Sequence, residues 1–186
     1  MGEGRAAGPP AARSRGAAWC SCDLQGCPCG HAGEGDGRCR CQPAVVDRYA
    51  GRVSGPLRDR IDLWVHMPRV RPEEYVTQAS PECTGEVARR VAKARSRQLE
   101  RQGFLNARLS GRALRAACDM SALAQAQAIR LADLEGWSAR GTERLLRVAR
   151  TIADLAVAQR VECAHLEEAA RFRSPVRQRG GYQAAG

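Results

Sequence analysis

The chain predicts a mainly α-helical fold, on three observations. Aromatic residues make up only 4% of its 186 residues, while alanine, leucine and valine supply most of the apolar volume, which suits packed helices better than a sandwich. From Ser80 onward, capping and stop residues recur at helical distances. One short stretch alone, Ile61–Met67, alternates with the period of a strand.

The elements follow in order. Residues 1–19, with Gly8-Pro9-Pro10 and Arg13-Ser14-Arg15-Gly16, have low complexity and are expected to be disordered. Between Cys20 and Cys41, glycines at 30, 33, 35 and 37 forbid regular structure and leave a loop that only a cross-link or an ion could fix. A short helix is expected over 47–53, stopped by Gly55-Pro56. In the strand that follows, Ile61, Leu63, Val65 and Met67 alternate with Asp62, Trp64 and His66, and Pro68 ends it.

Ser80-Pro81-Glu82 then offers a cap, an N1 proline and an early acid for a helix over 82–102, with Gly103 as its stop. Ser110 and Ser121 cap helices over 110–118 and 121–135, separated by Asp119, and Gly136-Trp137-Ser138 breaks and recaps the chain. The best amphipathic segment comes next. Leu145, Ala149, Ile152 and Ala156 share one face, and Arg140, Arg144 and Arg147 another. A last helix over 161–173 is expected to bury Leu166 and Ala169 or Ala170, and Gly180-Gly181 opens a loose tail over 175–186.

A formal charge of +10 suits a nucleic-acid partner, because arginine contacts to phosphate release counterions. Lys93 is the sole lysine, so a coding bias toward Arg, Ala and Gly accounts for much of that excess. Met1 to Ala18 holds no apolar run of a signal peptide, and no stretch of ~18 apolar residues occurs elsewhere, so no membrane role and a cytoplasmic location are expected. Nine cysteines in such a protein argue for metal or reduced thiols rather than a disulfide framework.

Cys27 and Cys29, then Cys39 and Cys41, form two Cys-x-Cys pairs whose four thiolates could close a tetrahedral, structural Zn²⁺ site. Four reduced thiols in a loop are the alternative, and Cys20, Cys22 and His31 are further donors close by. Cys83, Cys118 and Cys163 lie singly in helical pattern and read as small core residues. None of His31, His66 and His165 carries the context of a nucleophile motif, which sets catalytic Cys/His chemistry aside.

At Cys27-Pro28-Cys29-Gly30-His31, at Ser54-Gly55-Pro56-Leu57-Arg58-Asp59-Arg60-Ile61-Asp62-Leu63, at Arg95-x-Arg97-Gln98-Leu99 and along Leu145 to Leu155, the chain resembles the ComM/YifB group of magnesium-chelatase-like AAA+ ATPases. The resemblance implies that residues 20–79 are a remnant of an α/β AAA+ core with one strand, and 80–174 a C-terminal helical, lid-like domain. It implies hexameric, ATP- and Mg²⁺-dependent motors on DNA, with branch migration as the ComM activity. Arg60 matches the arginine finger, whose rigid guanidinium stabilises charge on a neighbour's transferring γ-phosphoryl group. A surface ion pair with Asp59 or Asp62 is the plainer role. Arg140 matches the lid arginine called sensor two, and Arg147 is the substitute candidate.

The departures from the pattern matter as much. Where family members place Asn-Pro ahead of Cys-Pro-Cys-Gly, this chain has Gln25-Gly26, and Arg58 stands where leucine is usual. The 186 residues contain no Gly-x-x-x-x-Gly-Lys-Ser/Thr phosphate loop, so a truncated, frame-shifted or remnant product with no ATPase activity of its own is expected. Two other readings stand beside this one. The first is a zinc-stabilised, basic helical module that binds nucleic acid without nucleotide chemistry. The second is a docking domain whose stripe of residues 145, 149, 152 and 156 packs on another chain.

Overall fold

The computed structural model describes residues 26–31, 37–54, 60–65, 67, 70, 72–77 and 82–173. The segments 1–19 and 175–186, Arg58-Asp59, Gly55-Pro56 and the Ser80-Pro81 cap lie outside the described residues. Among the described residues there are seven α-helices: α1 (Pro43–Ala50), α2 (Pro72–Thr77), α3 (Thr84–Gln102), α4 (Gly111–Cys118), α5 (Ala122–Glu135), α6 (Ala139–Leu155) and α7 (Cys163–Arg171), with a 3₁₀ turn over Asn106–Arg108.

Local chemistry sets the helix ends except at the start of α4. Gly103 takes φ 76 and returns its N–H to the Leu99 carbonyl at 2.7 Å, closing α3 where a left-handed residue is needed. Ser121 and Ser138 accept hydrogen bonds from the amides of Ala124 and Gly141 at the starts of α5 and α6. Ser110 precedes α4 without a side-chain cap, and the Gly111 N–H donates to Glu143 Oε1 of α6 at 2.8 Å. A tertiary contact thus does what a local cap would do. At α7, a capping box joins Glu162 and His165.

Helix α6 is the centre of the bundle and contacts α3, α4, α5 and α7. The core holds Leu109, Leu114, Cys118, Ala124, Ala128, Leu145, Leu146, Ala149, Ala153, Val161, Leu166 and Ala169. Its alanines let helix axes approach closely while the leucines fill the gaps. Leu145 and Ala149 are fully buried and Ile152 packs against the core, so the stripe that the alternative docking reading placed on another chain is internal; Ala156 lies just past the helix and is exposed. Cys118 is a buried core residue and Cys163 packs at the core edge, whereas Cys83 is exposed at the N-terminus of α3.

Two expectations are corrected. The first helix runs over Pro43–Ala50 rather than 47–53, because Pro43 serves as its pre-set first residue and Gly51 ends it before Gly55-Pro56. The strand over 61–67 does not form: among the described residues there is no strand. A strand needs a partner ladder, and here the helical domain takes the backbone groups instead. Trp64 N–H donates to the Phe172 carbonyl at 2.8 Å, and Arg173 donates to the Ile61 and Asp62 carbonyls. Leu63, Val65 and Met67, expected to face a core, are exposed.

Past α6, Val157 adopts φ 63 and is 64% exposed. That conformation costs an L-residue about 1–2 kcal/mol, and a β-branched residue gains nothing there from packing. Val157→Gly is therefore expected to raise stability by ~1 kcal/mol, after the entropy that glycine brings to the unfolded chain is subtracted. The readout is a higher urea midpoint with an unchanged slope.

Candidate functional site

The four predicted thiols converge. The Sγ atoms of Cys27, Cys29, Cys39 and Cys41 all lie within 4.8 Å of one another. Cys27 sits 3.2 Å from Cys29 and 3.8 Å from Cys39, and Cys29 sits 3.7 Å from Cys39. A tetrahedral zinc with ~2.3 Å bonds separates its sulfurs by about 3.8 Å, so the cluster has the size of such a shell. A tight turn makes this possible: Gly30 takes φ 83 and its N–H donates to the Cys27 carbonyl at 3.1 Å. The cluster can hold a metal ion. Cys20 and Cys22 lie outside the described residues.

Crowding also shows in the thiol chemistry. Hydrogen bonding with Cys29 is the largest influence on Cys41, whose pKa is pushed up to about 11. For Cys39 a backbone hydrogen bond from Cys41 lowers the pKa, and burial with the neighbouring Cys29 and Cys27 outweighs it, so the net shift is upward. Thiols this close resist ionising together unless a cation neutralises them.

Arg60 is exposed and makes no ion pair with any described residue. Of its two expected carboxylate partners, Asp59 lies outside the described residues. Asp62 is engaged elsewhere, its Oδ1 lying 3.1 Å from Arg144 Nε. The next residues are fastened to the helical domain through Arg173, 5% exposed, whose Nη1 donates to the Ile61 carbonyl at 2.7 Å and to that of Asp62 at 3.3 Å. Arg60 thus leads directly into an anchored segment.

Helix α6 carries both lid candidates. Arg140 is its second residue and is exposed, whereas Arg147, two turns on, is half-buried with its Nε in no hydrogen bond. Arg144 lies between them and belongs to the Asp62 contact. Of the two, Arg140 has the more open approach and the helix N-terminus beside it.

Residues 81–173 match the C-terminal family model of magnesium chelatase, subunit ChlI. The chain belongs to this magnesium chelatase family. Residues 20–75 match the model of the magnesium chelatase subunit ChlI itself. An uncharacterized Mycobacterium tuberculosis protein is 44% identical over 93 residues, covering 48% of this chain and 18% of the relative. YifB of Salmonella typhimurium is 42% identical over 80 residues, covering 42% of this chain and 16% of YifB. The competence protein ComM of Haemophilus influenzae is 34% identical over 84 residues, covering 44% of this chain and 16% of ComM. The chain therefore spans less than a fifth of the length of these relatives.

Within the magnesium chelatase helical domain lies a buried charged network that sequence reading did not single out. Asp154 is 1% exposed, and its Oδ1 receives Arg101 at 2.6 Å and Arg150 at 2.9 Å. Its Oδ2 receives Asn106 Nδ2 at 2.8 Å and Arg101 Nη2 at 3.0 Å. Arg150, fully buried, also donates to the carbonyls of Ala158 and Gln159 at 2.7 Å each, tying down the loop after α6. Burial alone raises the Asp154 pKa, but hydrogen bonds from Arg101 and Asn106 with the charges of Arg150 and Arg101 bring it below its ordinary value near 3.8. The available signal was a charged pair at i, i+4 flanked by Leu146, Ala149 and Ala153 on the apolar face of a helix.

Proposed function

We propose that this chain supplies the trans-acting arginine and the lid of a magnesium-chelatase-like AAA+ ring. In this reading Arg60 stabilises charge on a γ-phosphoryl group held by a neighbouring subunit, and Arg140, with Arg147 as substitute, contacts nucleotide phosphates. ATP and Mg²⁺ are contributed by a complete family member in a hexameric ring, and the work done is ATP-driven branch migration or remodelling of DNA, as in the ComM reading. The observation that carries the proposal is the exposure of Arg60 beside a segment anchored to the helical domain. A guanidinium that must reach another subunit's nucleotide needs that combination of access and rigid support.

Two measurements test this. The isolated chain is expected to show no ATP hydrolysis, and turnover by the chain alone contradicts the reading. In mixed rings, a full-length relative such as YifB, with its own finger arginine replaced, is expected to regain turnover when this chain is added. The rival reading, a basic nucleic-acid module, predicts DNA affinity that falls steeply with salt. It is weakened on α3, where Arg89 and Arg90 are matched by Glu86 and Glu82 at 3.9 and 2.9 Å. Among the described residues no helix is long and apolar enough to cross a membrane.

The thiol cluster is read as a structural Zn²⁺ site formed by Cys27, Cys29, Cys39 and Cys41, which stabilises a glycine-rich loop that lacks a core. One zinc per chain is expected in a colorimetric assay at neutral pH. Because the ion binds thiolates and displaces their protons, acidification from pH 8 toward pH 5 is expected to release it cooperatively. Cys29→Ser should lower zinc content without unfolding α3–α7. Full zinc retention in that variant would argue against this ligand set.

A further inference from the structure

We infer that Arg144 and Arg173 are positioning residues that lock the backbone leaving Arg60 onto the helical domain, so that finger and lid move as one body. The inference rests on the reading of Arg60 as the trans-acting group. Its basis is a set of contacts between parts of the chain 82 to 112 residues apart. Arg173 donates to the Ile61 carbonyl at 2.7 Å across 112 residues of sequence. The amide of Trp64 donates to the Phe172 carbonyl at 2.8 Å, and Arg144 holds the Asp62 carboxylate at 3.1 Å. Residues 61, 62 and 64 are therefore each fixed by a different group, two of them at the end of α7 and one on α6.

The two arginines are built into the bundle. Arg173 is 5% exposed, and its Nη2 lies 3.7 Å from the point where a Cβ on Gly141 would stand, so the guanidinium rests against the first turn of α6. The Arg144 side chain is 17% exposed, against 61% for Asp62, so the helical side of that pair is the rigid one. The Cα of Arg60 lies one peptide, about 3.8 Å, from that of the anchored Ile61. Rotation of α6 and α7 must then carry the base of the Arg60 side chain with it. A lid responding to nucleotide in one site would in this way re-aim the finger that serves another, through a continuous chain of packed and hydrogen-bonded groups.

The test uses the full chain in the mixed rings described above, together with hydrogen exchange on the chain alone. Arg173→Gln and Arg144→Gln are expected to speed exchange of the Trp64 amide at least tenfold, with protection across α3–α7 unchanged. In mixed rings each is expected to lower kcat roughly 10- to 100-fold with little change in KM for ATP, the signature of a misplaced group rather than a lost binding contact. The charge swap Asp62→Arg with Arg144→Asp should recover much of the turnover, which a merely structural role for Arg144 would not predict. Faster Trp64 exchange with turnover unchanged, where Arg60→Ala abolishes turnover, overturns this inference alone. Unchanged exchange in both variants overturns it too. If Arg60→Ala leaves turnover intact, the finger reading fails and the inference falls with it.

Discussion

Arg60→Ala is expected to lower ATP turnover in mixed rings by roughly 10³-fold or more, the range over which an arginine supplied in trans acts on phosphoryl transfer. The size of the effect follows from where the charge develops. In the proposed ring, negative charge would spread over the equatorial oxygens of the transferring group at a water-poor subunit boundary, where a preorganised cation meets no reorganisation cost. Arg60→Lys should recover only part of the loss, because an ammonium on a flexible stem cannot reproduce the planar fork. Since Arg60 is exposed and touches no described carboxylate, both variants should leave the melting temperature unchanged. A loss of turnover accompanied by a loss of stability would instead indicate a structural arginine.

Asp154→Ala is expected to destabilise the helical domain by about 3–5 kcal/mol, because it strands a buried guanidinium at Arg150 and a largely buried one at Arg101. For a domain of this size that corresponds to a fall in melting temperature on the order of 15 °C. The comparison that isolates the cause is Arg160→Ala. It breaks the 2.7 Å pair with Asp119, whose side chains are more than half exposed, and should cost less than ~1 kcal/mol. The pH dependence has a definite sign. The carboxyl of Asp154 is held below its ordinary value near 3.8, so its contribution is present above that value and is lost as pH falls through the folded pKa. Acid unfolding below about pH 4 should therefore be less steep in Asp154→Ala than in the parent, measured by circular dichroism across an acid titration.

Much of the helical domain was legible because its boundaries are written locally. Ser121 and Ser138 each cap the helix they precede, and Gly103 and Gly136 stand immediately after one in left-handed geometry. The thiol cluster was legible for a related reason: two closely spaced pairs in a loop without a core have few ways to be useful except together. What was not legible depends on partners distant in sequence. The alternation over 61–67 is genuine, yet a strand requires a neighbour, and the groups that meet this backbone come from Phe172 and Arg173. Likewise Asp154 reads as one acid on a helix until Arg101 and Asn106 arrive from α3 and the 3₁₀ turn. In α1 the difference is local: Pro43 opens the helix and Gly51 ends it, ahead of the more conspicuous Gly55-Pro56.

The proposed trans role of Arg60 is tested most directly by locating a neighbour's γ-phosphate. ATP carrying a photoreactive group on that phosphate can be bound to the full-length relative in a mixed ring, irradiated, and the labelled peptides sequenced. A trans role predicts label on the peptide of this chain that contains Arg60. Label confined to the relative's own peptides, in rings shown to contain both chains, would contradict it.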